Sequence, residues 1–235
     1  MCGRFTIALE PAEFMEELDL GDLPADFVPR YNVAPVQPAA VIRDFSSRRV
    51  EWMRWGLIPS WAKDPAIGAR MINARSETLL EKPSFRDAFL KRRCLILADG
   101  FYEWQKNPGK QPSSPHYFFL KNHRAFFFAG LWEQWQPTTG DRLTTFTIIT
   151  SAPNELISPI HERMPVILDS QNCWTWLNPA TSPATLQSLF QPYTAEKMAE
   201  YPVSTLVNQP SLETPELIKK NITCMSYFSG SEDLF

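Results

Sequence analysis

Three short stretches of this chain set a reactive side chain two residues ahead of an arginine. Cys2 precedes Arg4 in "MCGRFT", Asn73 precedes Arg75 in "MINARSE", and His161 precedes Arg163 in "SPIHERMP". In extended backbone, residues i and i+2 share a face, so each pair would put a chemical group beside a cation, an arrangement suited to an anionic ligand. Cys2 is the most unusual of the three. Removal of Met1 would leave one residue carrying both an α-amine and a β-thiol. The amine, with a pKa of about 7.7–8.0, is partly neutral at pH 7, and the thiol, at about 8.5, needs only a modest shift to ionise. Such a residue can act in two ways. The thiol can attack an acyl group with the amine as base, or the amine can condense with an aldehyde and the thiol close a five-membered thiazolidine. The second route gains from the high effective molarity of an intramolecular step. Position alone equally allows Cys2 to be a small apolar residue in a buried first strand.

Glu103 stands between Tyr102 and Trp104 in "ADGFYEW", after a bend at Asp99 and Gly100. At the surface it would be an ordinary charge. Buried, it would be costly, and its raised pKa would suit proton transfer. His161 could donate a proton to a sugar oxygen near neutral pH, or simply bond to backbone. His116 and His123 fall beside a polar loop and a hairpin turn, where solvent exposure explains them. Asn73 can orient an amine or carbonyl without titrating, and arginines can clamp phosphate. Equally, Asn73 could cap a local turn and Arg75 be a solvated charge. Trp52, Trp55, Trp61 and Trp104 could offer rings to unpaired bases or fill the core.

These groups need elements to hold them. "CGRFTIAL" reads as a first strand and "EPAEFMEELDL" as a short helix with Phe14, Met15 and Leu18 on one face. The prolines of "PADFVPRYNVAPVQPAAVI" demand extended or turning chain leading to a strand at Ala40–Arg43. "RRVEWMRWGLIPSWAKDP" reads as a strand followed by a proline-bounded turn, and "IGARMINARSETL" as loop or extended chain entering a helix. "KPSFRDAFLKR" is a helix with Phe85, Ala88 and Phe89 inward. "RCLILADGFYEW" is a central strand interrupted at Asp99-Gly100. "HYFFLKNHRAFFFAGLWEQW" reads as two strands joined by a tight turn near Lys121–Arg124, and "LTTFTIITSAP" as another strand. "NELISPIHERMPVIL" runs through prolines into a strand. "QNCWTWLNP" and "PATLQSLFQP" suggest short helices, "YPVSTLVNQP" a late strand, and "CMSYFSGSEDLF" a peripheral tail. Strands outnumber helices, which predicts an α+β domain with a curved, mainly antiparallel sheet.

With 235 residues, 44% of them hydrophobic, the chain can bury a core of its own without staples. A net charge of −3 argues against a broadly polycationic nucleic-acid binder. The average hides asymmetry: the seven ionised side chains from Glu10 to Asp26 are all acidic, whereas Arg86 to Arg93 holds four basic residues against one acidic, leaving room for a local anion-binding cleft. The four cysteines form no CxxC pair and, with three histidines, predict neither metal nor cofactor. No apolar run of membrane-spanning length and no secretion signal is evident, so free thiols in a reducing cytoplasm are expected, with no membrane partner.

Taken together, "MCGRF", "YNVAP", "RWGLIPSWAKD", "NARSET", "RRCLILADGFYEW", "FFFAGLWE", "TIITSAPN" and "IHERMPVIL" resemble the SRAP (SOS response-associated peptidase) family of abasic-site processing proteins. The likeness runs from Met1 to about Val207. It implies one SRAP domain over residues 2–207, with 208–235 a peripheral C-terminal segment. The implied fold is α+β, with a barrel-like, mainly antiparallel β core and short peripheral helices. The implied activity is capture of abasic sites in single-stranded DNA by a thiazolidine crosslink through Cys2 after Met1 is lost. Weak lyase activity and crosslink reversal could accompany it. The family's catalytic positions fall on Cys2, Asn73, Glu103 and His161, and its DNA-binding positions on Arg4, Arg75, Arg163 and Trp104. The implied partner is abasic single-stranded DNA, including replication-fork and single-strand/double-strand junctions, bound by a monomer. Such a protein would associate with the nucleoid in a bacterium or lie in the nucleus of a eukaryote. Two other functions use the same residues: an autoprocessing cysteine peptidase or N-terminal-nucleophile amidase, and a non-covalent single-stranded DNA-binding module.

Overall fold

Prolines, glycines and polar clusters cut this chain into short strands, and the computed structural model describes residues 2–109, 112–137 and 139–221. The sequence-predicted tail "CMSYFSGSEDLF" lies outside them. In chain order the strands and helices begin with β1 (Arg4–Ile7), α1 (Pro11–Phe14), β2 (Arg30–Val33), β3 (Pro38–Ile42), β4 (Val50–Trp55) and β5 (Asn73–Arg75). Then follow α2 (Pro83–Lys91), β6 (Arg93–Ala98), β7 (Gly100–Gln105), β8 (Ser114–Leu120), β9 (Phe126–Trp135) and β10 (Leu143–Ser151). The described chain ends with β11 (Met164–Pro165), β12 (Ile167–Leu168), α3 (Cys173–Leu177), α4 (Pro183–Ser188) and β13 (Met198–Pro202), joined by 3-10 turns.

Two sheets result. The first runs β13-β8-β7-β1-β2; the second runs β11-β10-β4-β3-β6-β9-β12. Because β10 pairs with β9 as well as with β4, five strands of the second sheet close on themselves, which gives the barrel-like core of an α+β fold. The space between the sheets is filled by Phe5, Phe101 and Phe118 from the first and Trp55, Phe128 and Phe146 from the second. Phe5 meets Trp55 edge-on at 5.2 Å and Phe128 at 5.7 Å, so the interlock is aromatic. The other face of the second sheet is covered by α1, α2 and α3 through Phe14, Phe89 and Trp176. The outer face of the first sheet, with Tyr102, Tyr117 and Phe119, is covered by Val203, Val207 and Leu217.

Several expectations are refined. The "EPAEFMEELDL" helix shrinks to one turn, Pro11–Phe14, with Phe14 and Leu18 buried beyond it. Glu13, Glu16 and Glu17 repel at helical spacing and give a longer helix no ion-pair support. The interruption at Asp99 is real and larger than a bend: β6 belongs to the second sheet and β7 to the first, so the chain changes sheets there. Asp99 anchors the crossing, accepting hydrogen bonds from the Thr6 hydroxyl at 2.5 Å and from the Ala8 and Leu9 amides at 2.6 and 2.9 Å. Gly100 is required here, since a Cβ would lie 2.2 Å from the Tyr117 hydroxyl. The hairpin expected at Lys121–Arg124 is corrected. β8 pairs with β7 and β13, whereas β9 pairs with β6, β10 and β12, so this turn is a second crossing between sheets. The late strand stops at Pro202, and Thr205–Asn208 forms a 3-10 turn instead.

Candidate active site

The first sheet supplies one half of the site. β1 and β7 pair with Arg4 opposite Tyr102, which brings Cys2 to the stretch of β7 that carries Glu103. Strand alternation sends Phe101 and Glu103 inward while Tyr102 faces out. Cys2 is 0% exposed and Glu103 only 2%. The second sheet supplies the other half. β5 continues alongside β10 with Asn73 opposite Ile148, and the segment bearing His161 leads into β11, which pairs with the end of β10. The site therefore lies on the seam between the two sheets.

Across that seam the Asn73 side-chain amide donates to the Cys2 carbonyl at 2.8 Å. Asn73 Oδ1 is buried with no hydrogen-bond partner among the described residues. His161 Nε2 stands 3.9 Å from Glu103 Oε2. The Arg163 amide approaches His161 Nδ1 at 3.0 Å, so the neutral ring carries its proton on Nε2, the nitrogen turned to Glu103. The Arg163 carbonyl, 3.2 Å from the same Nδ1, is the partner available to a protonated ring. Four residues separated widely in sequence thus meet at one seam.

Electrostatics divides their roles. Burial pushes the Glu103 carboxyl up to about 7, the positive chain terminus working against the rise. At neutral pH that group both gives and takes protons. Burial, and next the nearby charge of Glu103, hold the Cys2 thiol well above its ordinary range. The shift runs upward, away from ionisation, so the sulfur is held as a neutral thiol, with a long contact of 3.8 Å to the Arg4 carbonyl. Burial also lowers the His161 pKa, so at pH 7 the ring is a neutral N–H donor rather than a strong acid.

The other sequence-predicted residues are placed unequally. Arg75 is exposed at the end of β5 and makes no ion pair among the described residues. Arg163 is held by Glu77, at 2.7 and 2.9 Å through its two terminal nitrogens, and also donates to the Thr150 carbonyl at 2.5 Å. Arg4 is half-buried, its NH1 donating to Asn32 Oδ1 at 2.7 Å and to the Val207 carbonyl at 2.6 Å. The Trp104 indole donates to Asn208 at 2.8 Å. Trp55 is fully buried, and Trp52 packs on Phe27, whereas Trp61 is 63% exposed. Sequence reasoning missed Glu77 and Asn32. Glu77 sits inside "NARSET" and Asn32 inside "YNVAP", but nothing in either motif tells which distant arginine each meets.

Among the described residues no cluster of three or more His, Cys, Asp or Glu could hold a metal ion, and no helix is long and apolar enough to cross a membrane. The family model for "SOS response associated peptidase (SRAP)" matches residues 1–210. "Abasic site processing protein YoqW" of Bacillus subtilis (strain 168) is 50% identical over 225 residues, covering 94% of this chain and 100% of that protein. "Abasic site processing protein HMCES" of Gallus gallus is 38% identical over 222 residues, covering 81% of this chain and 66% of that protein. The crystal structure of a protein from Bacteroides thetaiotaomicron is 29% identical, with a TM-score of 0.82 over 94% of this chain and 100% of that one.

Proposed function

The chain belongs to the SOS response associated peptidase (SRAP) family, and from that premise we propose that it captures abasic sites in single-stranded DNA as a covalent DNA–protein crosslink. The observation that carries this reading is the convergence of Cys2, Asn73, Glu103 and His161 on one seam, with the carboxyl raised to about 7. Loss of Met1 turns Cys2 into a 1,2-aminothiol whose carbonyl Asn73 already holds. The unused Asn73 Oδ1 is a fitting acceptor for an N–H of that new amine.

The chemistry balances with groups of this chain alone. His161 Nε2–H polarises the sugar ring oxygen as the closed abasic sugar opens to its aldehyde, the C1′ hydroxyl proton passing by way of Glu103 to that ring oxygen. The neutral α-amine attacks C1′, and Glu103 carries the first amine proton to the former carbonyl oxygen, which becomes the carbinolamine hydroxyl. The carboxylate then takes the second amine proton and gives it to that hydroxyl, which leaves as water from the imine. The Cys2 sulfur then bonds to the same carbon. Its proton passes to Glu103 and on to the ring nitrogen, closing the thiazolidine. One water leaves overall, and no electrons are exchanged. The same groups run in reverse would reopen the ring, and an imine that outlives thiol attack would permit slow β-elimination.

Backbone clamping is best assigned to Arg75, which is exposed, and Trp61 is an exposed ring available for stacking. Affinity would fall as salt rises. Single strands suit the reaction because no base pair has to open. A thiol-first hydrolase is less well supported, since burial keeps the sulfur protonated. Intact mass of the purified protein, before and after addition of an abasic single-stranded oligonucleotide, tests the proposal. A mature protein lacking Met1 should gain the mass of the oligonucleotide minus one water. Equal adduct formation by Cys2→Ala would overturn the assignment.

A further inference from the structure

We propose that Asn32 is a positioning residue for Cys2, acting through Arg4 and a strap formed by residues 204–213. β2 is the free edge of the first sheet, and an unpaired strand edge must be covered or blunted. The strap covers it with side chains. Glu213 accepts the Tyr31 and Asn32 amides at 2.7 and 3.1 Å and pairs with Arg30 Nε at 2.6 Å. Asn32, 0% exposed, donates to the Gln209 and Leu212 carbonyls at 2.8 and 3.1 Å while its Oδ1 receives Arg4 at 2.7 Å. Arg4 also donates to the Val207 carbonyl of the strap at 2.6 Å.

Only an amide side chain satisfies this arrangement. One end must accept from a guanidinium and the other must donate to two carbonyls. An aspartate would aim a negative charge at those carbonyls, and an apolar residue would deprive both carbonyls of this donor and Arg4 of one of its two acceptors. Arg4 depends on the strap in turn, because a half-buried guanidinium without acceptors is strongly disfavoured. The grip falls beside the reacting groups on both strands. Arg4 lies two residues after Cys2, and its carbonyl receives the Cys2 thiol. Trp104, next to Glu103, is tied to the same strap through Asn208. The strap thus sets how Cys2 stands relative to Glu103 through Arg4 and Trp104. This inference rests on the reading of Cys2 as the reacting residue.

The test uses the full chain, with loss of Met1 verified by mass, as wild type, Glu213→Ala and Asn32→Asp. Cys2 alkylation by iodoacetamide, followed by peptide mass, reports access to the thiol without any DNA. Single-turnover crosslinking to an abasic oligonucleotide reports the maximal rate, the half-saturating DNA concentration and the pH midpoint. Expected are alkylation about fivefold faster as the strap opens locally, and a maximal rate roughly tenfold lower from misplacement of the nucleophile. The half-saturating concentration should stay within about twofold, since binding is not what is lost, and the pH midpoint should not move. Unchanged alkylation and maximal rate in both variants, or a defect confined to the half-saturating concentration, would overturn the proposal. If Asn32→Asp does not fold, Glu213→Ala decides. If wild type forms no crosslink, the abasic-site reading fails by itself and alkylation alone decides: faster labelling in the variants upholds the positioning role, and equal labelling refutes it.

Discussion

Replacing Glu103 by glutamine probes the charge of the site while nearly keeping its shape. Folding raises this carboxyl from an ordinary 4.5 to about 7, chiefly through burial. The native state therefore holds the proton more tightly than the unfolded chain. That advantage is complete below about pH 4.5, shrinks as pH rises, and is gone above about 7, where the fold must carry a buried carboxylate. At about 1.4 kcal/mol per pKa unit, the charged form stands roughly 3 kcal/mol above the neutral one. Glutamine mimics the neutral form at every pH. Glu103→Gln should thus be the more stable protein at pH 8, by up to roughly 3 kcal/mol, or about 6–12 °C in Tm for a domain of this size. The gap should close towards pH 5. Its crosslinking rate should meanwhile fall by about 10²–10⁴, the usual contribution of a general acid–base group. Thermal melts of both proteins from pH 5 to 8.5, beside single-turnover crosslinking, measure both effects. A melting difference that stays flat across that range, or a variant less stable at pH 8, would refute the claim that desolvation governs this carboxyl.

Other changes separate the remaining roles. Cys2→Ala should form no thiazolidine, and Cys2→Ser, keeping an amine without a thiol, should leave only adducts that borohydride must trap; denaturing gels with and without reductant distinguish them. Asn73→Ala removes the 2.8 Å bond to the Cys2 carbonyl and should slow crosslinking roughly tenfold to a hundredfold in single-turnover kinetics, the scale of a misplaced nucleophile. Gly100→Ala drives a methyl to 2.2 Å from the Tyr117 hydroxyl and should lower stability by roughly 1–3 kcal/mol in urea melts. Glu77→Gln loosens Arg163, whose backbone orients His161; because the Glu side chain is 53% exposed, stability should change by no more than about 1 kcal/mol while crosslinking slows. The Arg163 pairing lowers the Glu77 pKa, so its small stabilisation is present above about 4.5 and is lost as pH falls through the lower folded value.

Much of this architecture could be read from local pattern, and the parts that could not share a physical reason. The break at Asp99-Gly100 was visible because no residue but glycine fits against Tyr117, and Gly in an apolar run marks such close approach. The β8–β9 turn misled because both strands are buried on both faces, so no polar alternation says which sheet each joins. His123, with φ of 55°, even supplies the left-handed residue that a hairpin turn favours. Cys2, Asn73, Glu103 and His161 are nameable by type, but their sharing of a seam depends on contacts distant in sequence, such as the bond between Cys2 and Asn73, 71 residues apart. The direction in which the thiol shifts is not legible in the sequence, because desolvation belongs to the fold and not to the neighbours in sequence.

The seam has a further consequence. Cys2 and Glu103 ride on one sheet while Asn73 and His161 ride on the other, and each pair is tied by its own sheet's strand pairing. One rigid-body coordinate, the tilt of sheet against sheet, therefore moves the distances from Cys2 and Glu103 to Asn73 and His161 together. That tilt is fixed by the rings of Phe5, Phe101 and Phe128, none of which touches the lesion in the proposed reaction. Trimming those rings would retune the timing of capture from a distance, as adjusting a hinge alters the bite of a pair of pliers.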